Sequence, residues 1–195
     1  MKLYYTPGAC SLAPHIALAE SGLGYTLDKV DLKTHTVDGK DYYAVNAKGA
    51  VPALEMEDKD LLTENAVILG YIADKAGKLA PPAGSKPRLR LQEWVAYINT
   101  ELHKTLGALF NPALPEEGRK IFIANGAKKL AHVSDKLGDR YLTGDEFTVA
   151  DGYLYVMLRW AQHHKVDISD KLRAYFKRVE ERAGVQRALK EEGLA

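Results

Sequence analysis

Cys10 is the residue best suited to nucleophilic chemistry in this 195-residue chain, which contains no other cysteine. It follows the short apolar run Lys2–Tyr5 and a Pro-Gly turn, and it stands where a helical pattern begins. Free N–H groups at a helix start stabilise a thiolate and lower the pKa of a thiol placed there. The alternative is a buried structural cysteine. An intrachain disulfide is impossible and a cysteine-based zinc site is not expected, so a reducing compartment fits best.

Two later segments could bind a ligand through their main chain. Pro52 opens a strand-like run, and a cis bond after Val51 would leave the Val51 N–H and C=O free to pair with an extended peptide. Thr63-Glu64-Asn65 precedes an apolar helix whose first N–H groups would attract a carboxylate, while Glu64 could accept from an ammonium group. An ordinary edge-strand proline and a plain helix cap by Thr63 or Asn65 are the alternatives.

Histidines mark the second half of the chain. His103 and Lys104 are adjacent in a long helical pattern, about 100° apart around the helix, and could line a cleft or a subunit contact. The alternative is a histidine satisfied in the core beside a solvated lysine. His163 and His164 could line a pocket for an electrophile or lie at the surface. No third ligand stands at suitable spacing, so no metal site is expected there.

The elements that must position these residues fall into two parts. Residues 1–78 show strand patterns at 2–5, 25–32, 51–56 and 61–62, helical patterns at 10–21, 41–46 and 65–76, and a polar loop at 33–40. The order βαβαββα predicts a small mixed sheet with helices on its faces. Three prolines and a glycine within residues 79–87 predict an interdomain linker.

Residues 88–195 show helical patterns and no convincing strand. Helices are expected at 88–110, 118–137, 149–164, 171–181 and 185–191. The third is very apolar, which predicts a central, buried helix. Thr148 and Asp151 stand at its N-cap and N3 positions and predict a capping box. The expected fold class is therefore an α/β domain followed by an all-α domain.

Composition excludes several classes of protein. A net charge of +1 gives no basic excess, so a general nucleic-acid binder is not expected. No apolar run approaches the ~20 residues that cross a bilayer, and the first residues lack a secretory signal pattern. A hydrophobic content of 46% with 27% charged residues is typical of a globular protein with a packed core. We expect a cytoplasmic protein without membrane partners.

Taken together, several short segments resemble a bacterial Beta-class glutathione transferase in their order and spacing. They are Lys2–Leu12, Gly49–Leu54, Leu62–Glu64, Thr100–Lys104, Leu109–Phe110, Thr148–Asp151 and Val185–Leu189. The resemblance implies a thioredoxin-like domain at 1–78, a helical domain at 88–195 and a homodimer. It also implies glutathione as co-substrate, small hydrophobic electrophiles as its acceptors, a role in detoxification and no metal.

The resemblance further implies which residues form the site. Cys10 and His103 are the catalytic candidates, and the sulfur of Cys10 is expected to form a mixed disulfide with glutathione. The residues expected to bind glutathione are Ala9, Cys10, His35, Val51, Pro52, Glu64, Asn65, Thr100, Glu101, His103 and Lys104, with Pro52 in the cis form. The residues expected to form the electrophile pocket are Tyr5, Leu109, Phe110, Trp160, His163 and His164.

Three positions depart from the pattern of the class. Asn65 stands where serine is common, Ala96 where asparagine is frequent, and His35 in place of a lysine that reaches the glycyl carboxylate. These departures bear on affinity and substrate range more than on the fold. Two other functions are compatible with the same residues. One is a glutathione-dependent thiol–disulfide reductase or dehalogenase that uses Cys10, and the other is a non-catalytic ligand-binding protein on the same scaffold.

Overall fold

The computed structural model describes residues 1–195 and divides them into two compact units. Unit 1 comprises Met1–Ala80 together with Arg182–Ala195, and unit 2 comprises Pro81–Glu181. Unit 1 is a mixed sheet with helices and unit 2 is helical, which confirms the predicted fold class. None of the helices combines the length and the apolar composition that a bilayer-spanning segment requires.

The helices lie close to their predicted positions. They are α1 (Leu12–Ser21), α2 (Asn65–Ala76), α3 (Lys86–Tyr97), α4 (Lys104–Gly107), α5 (Glu116–Lys136), α6 (Val149–His163), α7 (Asp170–Glu180) and α8 (Ala183–Glu192). Gly22 and Gly77 end α1 and α2 in the left-handed conformation that glycine adopts without strain. Helix α8 packs against α1, so the segment after residue 181, expected within the helical domain, belongs to unit 1.

Unit 1 contains a six-stranded sheet in the order β4-β3-β2-β1-β5-β6. Its strands are β1 (Lys2–Tyr5), β2 (Thr26–Asp31), β3 (Thr36–Val37), β4 (Lys40–Asp41), β5 (Ala53–Glu55) and β6 (Leu61–Thr63). Strand β1 pairs parallel with β2 and antiparallel with β5. Neighbouring side chains of β1 point to opposite faces, and Leu3 and Tyr4 are both buried, so the centre of the sheet is covered on both sides.

The polar stretch 33–40, predicted as a loop, contains the two-residue strand β3 and the first residue of the two-residue strand β4. The helix expected at 41–46 is a single 3-10 turn, Tyr42–Ala44. Strands of two residues are too short to show an alternating pattern in the sequence, and they form by pairing, β3 with β2 and β4 with β3. Val37 and Tyr42 are buried against the sheet, and they anchor this segment.

Unit 2 begins with a continuous helical segment that changes its winding. Helix α3 is followed by a π-helical segment at Ile98–His103, by α4 and by a 3-10 turn at Ala108–Phe110. The sequence pattern at 88–110 predicted one uniform helix, because apolar spacing does not distinguish i→i+4 from i→i+5 hydrogen bonding. π-helical turns inside α-helices occur frequently at functional sites.

Helix α6 is buried along most of its length, as its apolar composition predicted. The predicted capping box is present at its start, where the Thr148 N–H donates to Asp151 Oδ2 at 2.8 Å. Asp151 also accepts from the Leu142 N–H at 2.8 Å and from the Tyr175 hydroxyl at 2.7 Å. Burial raises the pKa of Asp151, while these hydrogen bonds act in the opposite direction. The capping box is thus part of the core of unit 2.

Candidate active site

The Cys10 loop, residues 6–11, joins β1 to α1 and is fixed by its own polar groups. The Thr6 N–H donates to Ser11 Oγ at 3.1 Å, and the Ser11 hydroxyl donates back to the Thr6 carbonyl at 3.2 Å. Gly8 has a φ of +72°, a conformation that residues with a Cβ rarely adopt. The loop thereby turns sharply enough to bring Cys10 to the start of α1.

Cys10 is half-buried and lies two residues before the first residue of α1, close to its predicted place at a helix start. Its Sγ donates to the Val51 carbonyl at 3.3 Å. The Asn65 side-chain amide donates to the Cys10 carbonyl at 3.2 Å. Three segments that are far apart in sequence therefore meet at this cysteine: the loop after β1, the turn before β5 and the start of α2.

The Val51–Pro52 peptide bond is cis, as expected. Contrary to the prediction, the Val51 carbonyl is not free, since it accepts from the Cys10 thiol. The Val51 N–H has no hydrogen-bond partner within the chain and lies outside β5. Ala9 packs on the same buried cluster as Val51. This turn therefore offers one main-chain donor beside a thiol.

Glu64 adopts an unusual backbone conformation directly before α2, with φ of 74° and ψ of 119°. Such a conformation in a non-glycine residue is strained and occurs preferentially at functional sites. Its carboxylate accepts from Lys48 Nζ at 2.7 Å, and the same amine donates to Thr63 Oγ1 at 2.9 Å. The caps predicted from Thr63 or Asn65 are absent. Asn65 is instead the first residue of the helix, and its buried Oδ1 has no partner.

Two further predicted residues of unit 1 have other neighbours. The His35 ring lies against Tyr43, with ring centroids 4.7 Å apart, and its buried Nδ1 has no hydrogen-bond partner. Tyr5 is buried and packs against His15, with ring centroids 6.0 Å apart. The structure thus joins Cys10, Val51 and Asn65 by direct contacts, whereas the contacts it records for His35 and Tyr5 are with other rings.

A buried hydrogen-bonded contact between His15 of α1 and two glutamates of α8, here named the α8 clamp, was not predicted from the sequence. The fully buried His15 of α1 contacts Glu192 Oε1 through Nδ1 at 2.9 Å and Glu191 Oε2 through Nε2 at 2.7 Å. Glu192 also accepts from the Gly8 N–H at 2.8 Å. Burial favours a higher pKa for Glu191, but its hydrogen bonds, that from Tyr25 first, lower the pKa to about 2. Helix α8 thus contacts the Cys10 loop directly, through the hydrogen bond between Glu192 and the Gly8 N–H.

His103 is the second predicted catalytic residue, and it lies at the end of the π-helical segment of unit 2. Its Nδ1 is 2.6 Å from the Tyr153 hydroxyl, which donates to Asn99 Oδ1 at 2.9 Å. Burial, together with the charge of Lys104, lowers the pKa of His103 to about 4. His103 is therefore neutral at pH 7. Asn99 and Tyr153 were missed in the sequence, where the one signal is a tyrosine in an apolar helix that needs a polar partner.

The polar residues around His103 are more exposed. The Thr100 hydroxyl donates to the Ala96 carbonyl at 3.0 Å, within its own helical segment. Glu101 accepts from Lys129 Nζ at 2.6 Å, and Lys104 is exposed. Thr100 and Glu101 are thus each engaged by another group of unit 2, and Lys104 is exposed.

Four of the residues predicted for the electrophile pocket form one aromatic cluster in unit 2. Phe110 is stacked on His163, with centroids 5.6 Å apart and planes 11° apart. The same ring meets the edges of Trp160 at 5.0 Å and His164 at 4.4 Å. Trp160 in turn lies 5.2 Å from the His103 ring. Phe110 is 47% exposed, so the cluster presents an apolar face to solvent. Leu109 is buried beside it in the chain.

Comparison with known proteins adds a consistent set of likenesses. Two family models match the chain: "Glutathione S-transferase, N-terminal domain" over residues 8–75 and "Glutathione S-transferase, C-terminal domain" over residues 95–192. Glutathione S-transferase GstA of Escherichia coli O157:H7 is 46% identical over 200 residues, covering 100% of each chain.

Two solved structures are also similar over 100% of both chains. One is a bacterial beta class glutathione S-transferase of Sphingomonas chungbukensis, with a TM-score of 0.93 and 43% identity. The other is a sphingomonad glutathione S-transferase complexed with glutathione, with a TM-score of 0.94 and 43% identity.

No group of three or more His, Cys, Asp or Glu side chains in the structure is arranged to hold a metal ion.

Proposed function

The chain belongs to the glutathione S-transferase family, and from this premise we propose that it binds glutathione around Cys10 and conjugates it to small hydrophobic electrophiles. The observation that carries the proposal is the meeting of Cys10, Val51 and Asn65 at one point of unit 1. An unpaired main-chain N–H beside a carbonyl is the arrangement with which a protein binds an extended peptide. Glutathione is such a peptide, and its cysteinyl part would pair with Val51.

The start of α2 suits the γ-glutamyl end of glutathione. The first N–H groups of a helix have no intrahelical partner and attract a carboxylate. Glu64 supplies an acceptor for the ammonium group, in exchange for its exposed contact with Lys48. Asn65 supports the site through its contact with the Cys10 carbonyl, a role that a serine could not fill in the same way. Ala9, His35 and Pro52 are proposed as further contacts of glutathione.

We assign the remaining roles to residues of unit 2. Thr100, Glu101, His103 and Lys104 are proposed to serve glutathione, with His103 as a catalytic residue at the thiol. The aromatic cluster of Phe110, Trp160, His163 and His164 is proposed to bind the electrophile, together with Tyr5 and Leu109. Apolar surface with exposed ring faces favours planar, apolar substrates. Catalysis would rest on thiolate stabilisation and on orientation of the two reactants.

A second activity is supported by the half-buried thiol of Cys10. The Cys10 thiolate would attack one sulfur of glutathione disulfide. A new S–S bond joins Cys10 to one glutathione, the original S–S bond breaks, and the other glutathione leaves as a thiolate. The proton of Cys10 passes to solvent. The same mixed disulfide would be an intermediate in the reaction of a glutathione-dependent reductase or dehalogenase.

Calorimetry with reduced glutathione tests the first proposal, and the absence of binding heat for folded, reduced protein would overturn it. The variant Cys10→Ala separates the two activities. We expect it to retain conjugation of chlorodinitrobenzene and to lose the glutathione adduct that mass spectrometry detects on the wild-type protein. Loss of conjugation in this variant, with glutathione binding intact, would instead make Cys10 the activator of the thiol. The variant Cys10→Ser controls for the change in volume.

We also propose a homodimer with a cytoplasmic role in detoxification. The support for this assembly and role is the family membership itself. Sedimentation of the purified protein over a range of concentrations tests the assembly, and a monomer at all concentrations would contradict it.

A further inference from the structure

Lys48 of unit 1 brings an ammonium group of the protein to a carboxylate that is also proposed to serve the ligand. Its Nζ donates to Glu64 Oε1 at 2.7 Å and to Thr63 Oγ1 at 2.9 Å. Glu64 is the proposed acceptor for the ammonium group at the γ-glutamyl end of glutathione. A lysine amine and that ammonium group carry the same charge and act only as donors, so they require the same acceptor.

The turn that contains Lys48 is fixed by its own hydrogen bonds. The Asn46 side-chain amide donates to the Ala50 carbonyl at 2.8 Å, and the Asn46 carbonyl accepts from the Gly49 N–H at 2.8 Å. The Lys48 N–H donates to Asn46 Oδ1 at 3.1 Å. Asn46 is buried, where an unpaired amide would be costly. The main chain of Lys48 is therefore held in place, and the rotation of its side chain decides whether the amine contacts Glu64.

The contact between Lys48 and Glu64 is weak, whereas the position of Glu64 is well defined. The two side chains are 56% and 60% exposed, and little free energy is lost when such an exposed ion pair separates. Glu64 itself has a φ of 74° and directly precedes α2, so its main chain is fixed by the start of the helix. A ligand with its own ammonium group can thus take the place of the lysine amine on this carboxylate.

We propose that Lys48 is a specificity-determining residue that competes with the ammonium group of glutathione for Glu64. The inference rests on the proposed function for the location of that ammonium group. Two positive charges at one carboxylate repel each other, so Lys48 reduces the affinity that the ligand gains from its ammonium group. The protein consequently distinguishes γ-glutamyl thiols with and without a free α-amino group less sharply than it would with a neutral residue 48.

Lys48 also attracts the carboxylates of any ligand bound nearby, through its positive charge. Its removal therefore changes the affinity for glutathione in a second way that does not involve Glu64. Glutathione and its deaminated analogue, glutaryl-cysteinylglycine, carry the same two carboxylates and differ only in the ammonium group. The dissociation constant of the analogue divided by that of glutathione, here named the ammonium ratio, therefore reports the contribution of the ammonium group alone.

Calorimetric titration of the full chain with each ligand in reducing buffer measures the ammonium ratio. In Lys48→Met we expect the ratio to rise about two- to fivefold over the wild type, a range that corresponds to the strength of an exposed ion pair. The reason is that glutathione no longer has to displace a competing amine, while the analogue leaves Glu64 without a cation. Lys48→Arg keeps the positive charge and should retain a ratio close to that of the wild type.

Lys75→Met is the matched control. Lys75 contacts Glu57 at 2.7 Å within the same unit, so this variant also loses one positive charge and one ion pair with a glutamate. Lys75 lies near the far end of α2, ~15 Å from its first residue at the rise of an α-helix. Its replacement should leave the ammonium ratio unchanged.

Glu64→Gln tests whether the effect acts through the carboxylate. This variant should lower the ammonium ratio, because the ammonium group of glutathione loses its charged acceptor. Adding Lys48→Met to Glu64→Gln should then leave the ratio unaltered, whereas the same change raises the ratio when Glu64 is present. Such a double-mutant cycle isolates the coupling between the two residues. Circular dichroism spectra that match the wild type show that each variant is folded.

Three results would overturn the inference while glutathione still binds the wild type. They are an ammonium ratio that is unchanged or lower in Lys48→Met, a rise of equal size in Lys75→Met, and a rise that persists in the Glu64→Gln background. A folded, reduced wild-type protein that does not bind glutathione would overturn the proposed function, and the inference with it. The two failures are therefore distinguishable.

Discussion

The Cys10 region of unit 1 and the His103 region of unit 2 present different kinds of chemical group. The first offers main-chain groups of a loop and a turn, held in place by the α8 clamp on the far side. The second offers side chains, each fixed by another side chain of a neighbouring helical segment. Main-chain groups suit recognition of a peptide whatever its side chains, whereas a fixed ring suits one defined proton transfer.

The two regions also differ in how they treat charge. The Lys48–Glu64 pair of unit 1 is more than half exposed on both side chains, and solvent screens it. His103 is neutral at pH 7, since burial lowers its pKa to about 4. The fully buried contact between titratable side chains in unit 1 is that of His15 with Glu192 in the α8 clamp. Thus the Lys48–Glu64 contact at the proposed glutathione site is solvent-exposed, whereas the His15–Glu192 contact is fully buried.

The largest effect is expected from removing the α8 clamp. His15→Ala removes the buried ring that contacts Glu191 and Glu192 and leaves the fully buried Glu192 side chain with the Gly8 N–H alone, so the free energy of unfolding should fall by about 3–5 kcal/mol. Urea unfolding followed by circular dichroism measures the loss. The exposed His132, replaced in the same way, is the matched control and should cost no more than about 0.5 kcal/mol. Equal losses in the two variants would show that the clamp does not support the Cys10 loop.

A smaller effect is expected from the pH dependence that His103 gives to unit 2. Its pKa is about 4 when folded and 6.5 when exposed, so the unfolded chain binds more protons between these values. Stability from this group therefore rises with pH and should be about 2 kcal/mol lower at pH 5 than at pH 8. Urea unfolding of the wild type and of His103→Gln at both pH values isolates the difference. An identical pH dependence in both proteins would contradict the desolvated state of the ring.

The smallest effect is expected at the exposed pair of unit 1. Lys48→Met removes the contact with Glu64, yet the free energy of unfolding should change by no more than about 0.5 kcal/mol. Thermal unfolding at low and high salt measures it, with Lys48→Arg as the variant that keeps the charge. A loss above about 1 kcal/mol would show that the contact is structural, and the contrast between the two regions would then be weaker.

Much of the fold could be predicted because local rules agree with the tertiary structure. Helix α2 has its predicted bounds, since an apolar stripe and Gly77 specify the same element. The capping box of Thr148 and Asp151 is likewise local, within four residues. Strands β3 and β4 could not be predicted, because two residues carry no pattern and the strands form only by pairing, β3 with β2 and β4 with β3.

The candidate site was harder to predict because its decisive contacts are not local. Cys10 is a recognisable candidate from its type and position, but its contact with the Val51 carbonyl joins residues 41 apart. The α8 clamp joins residues that are 176 and 177 positions apart in the sequence. The one sequence feature that indicates it is His15, a single histidine in an apolar helix. The contact of Tyr153 with His103 likewise depends on how α6 packs against the π-helical segment.

The α8 clamp has a practical consequence for how this protein is handled. A purification tag or fusion partner appended after Ala195 attaches three residues beyond Glu192, whose carboxylate accepts from the Gly8 N–H. A change in the position of Glu192 would therefore act on the loop that contains Cys10. Proteolytic loss of Glu192 would remove the same contact, so the presence of this residue is a quality check for every preparation used in kinetics.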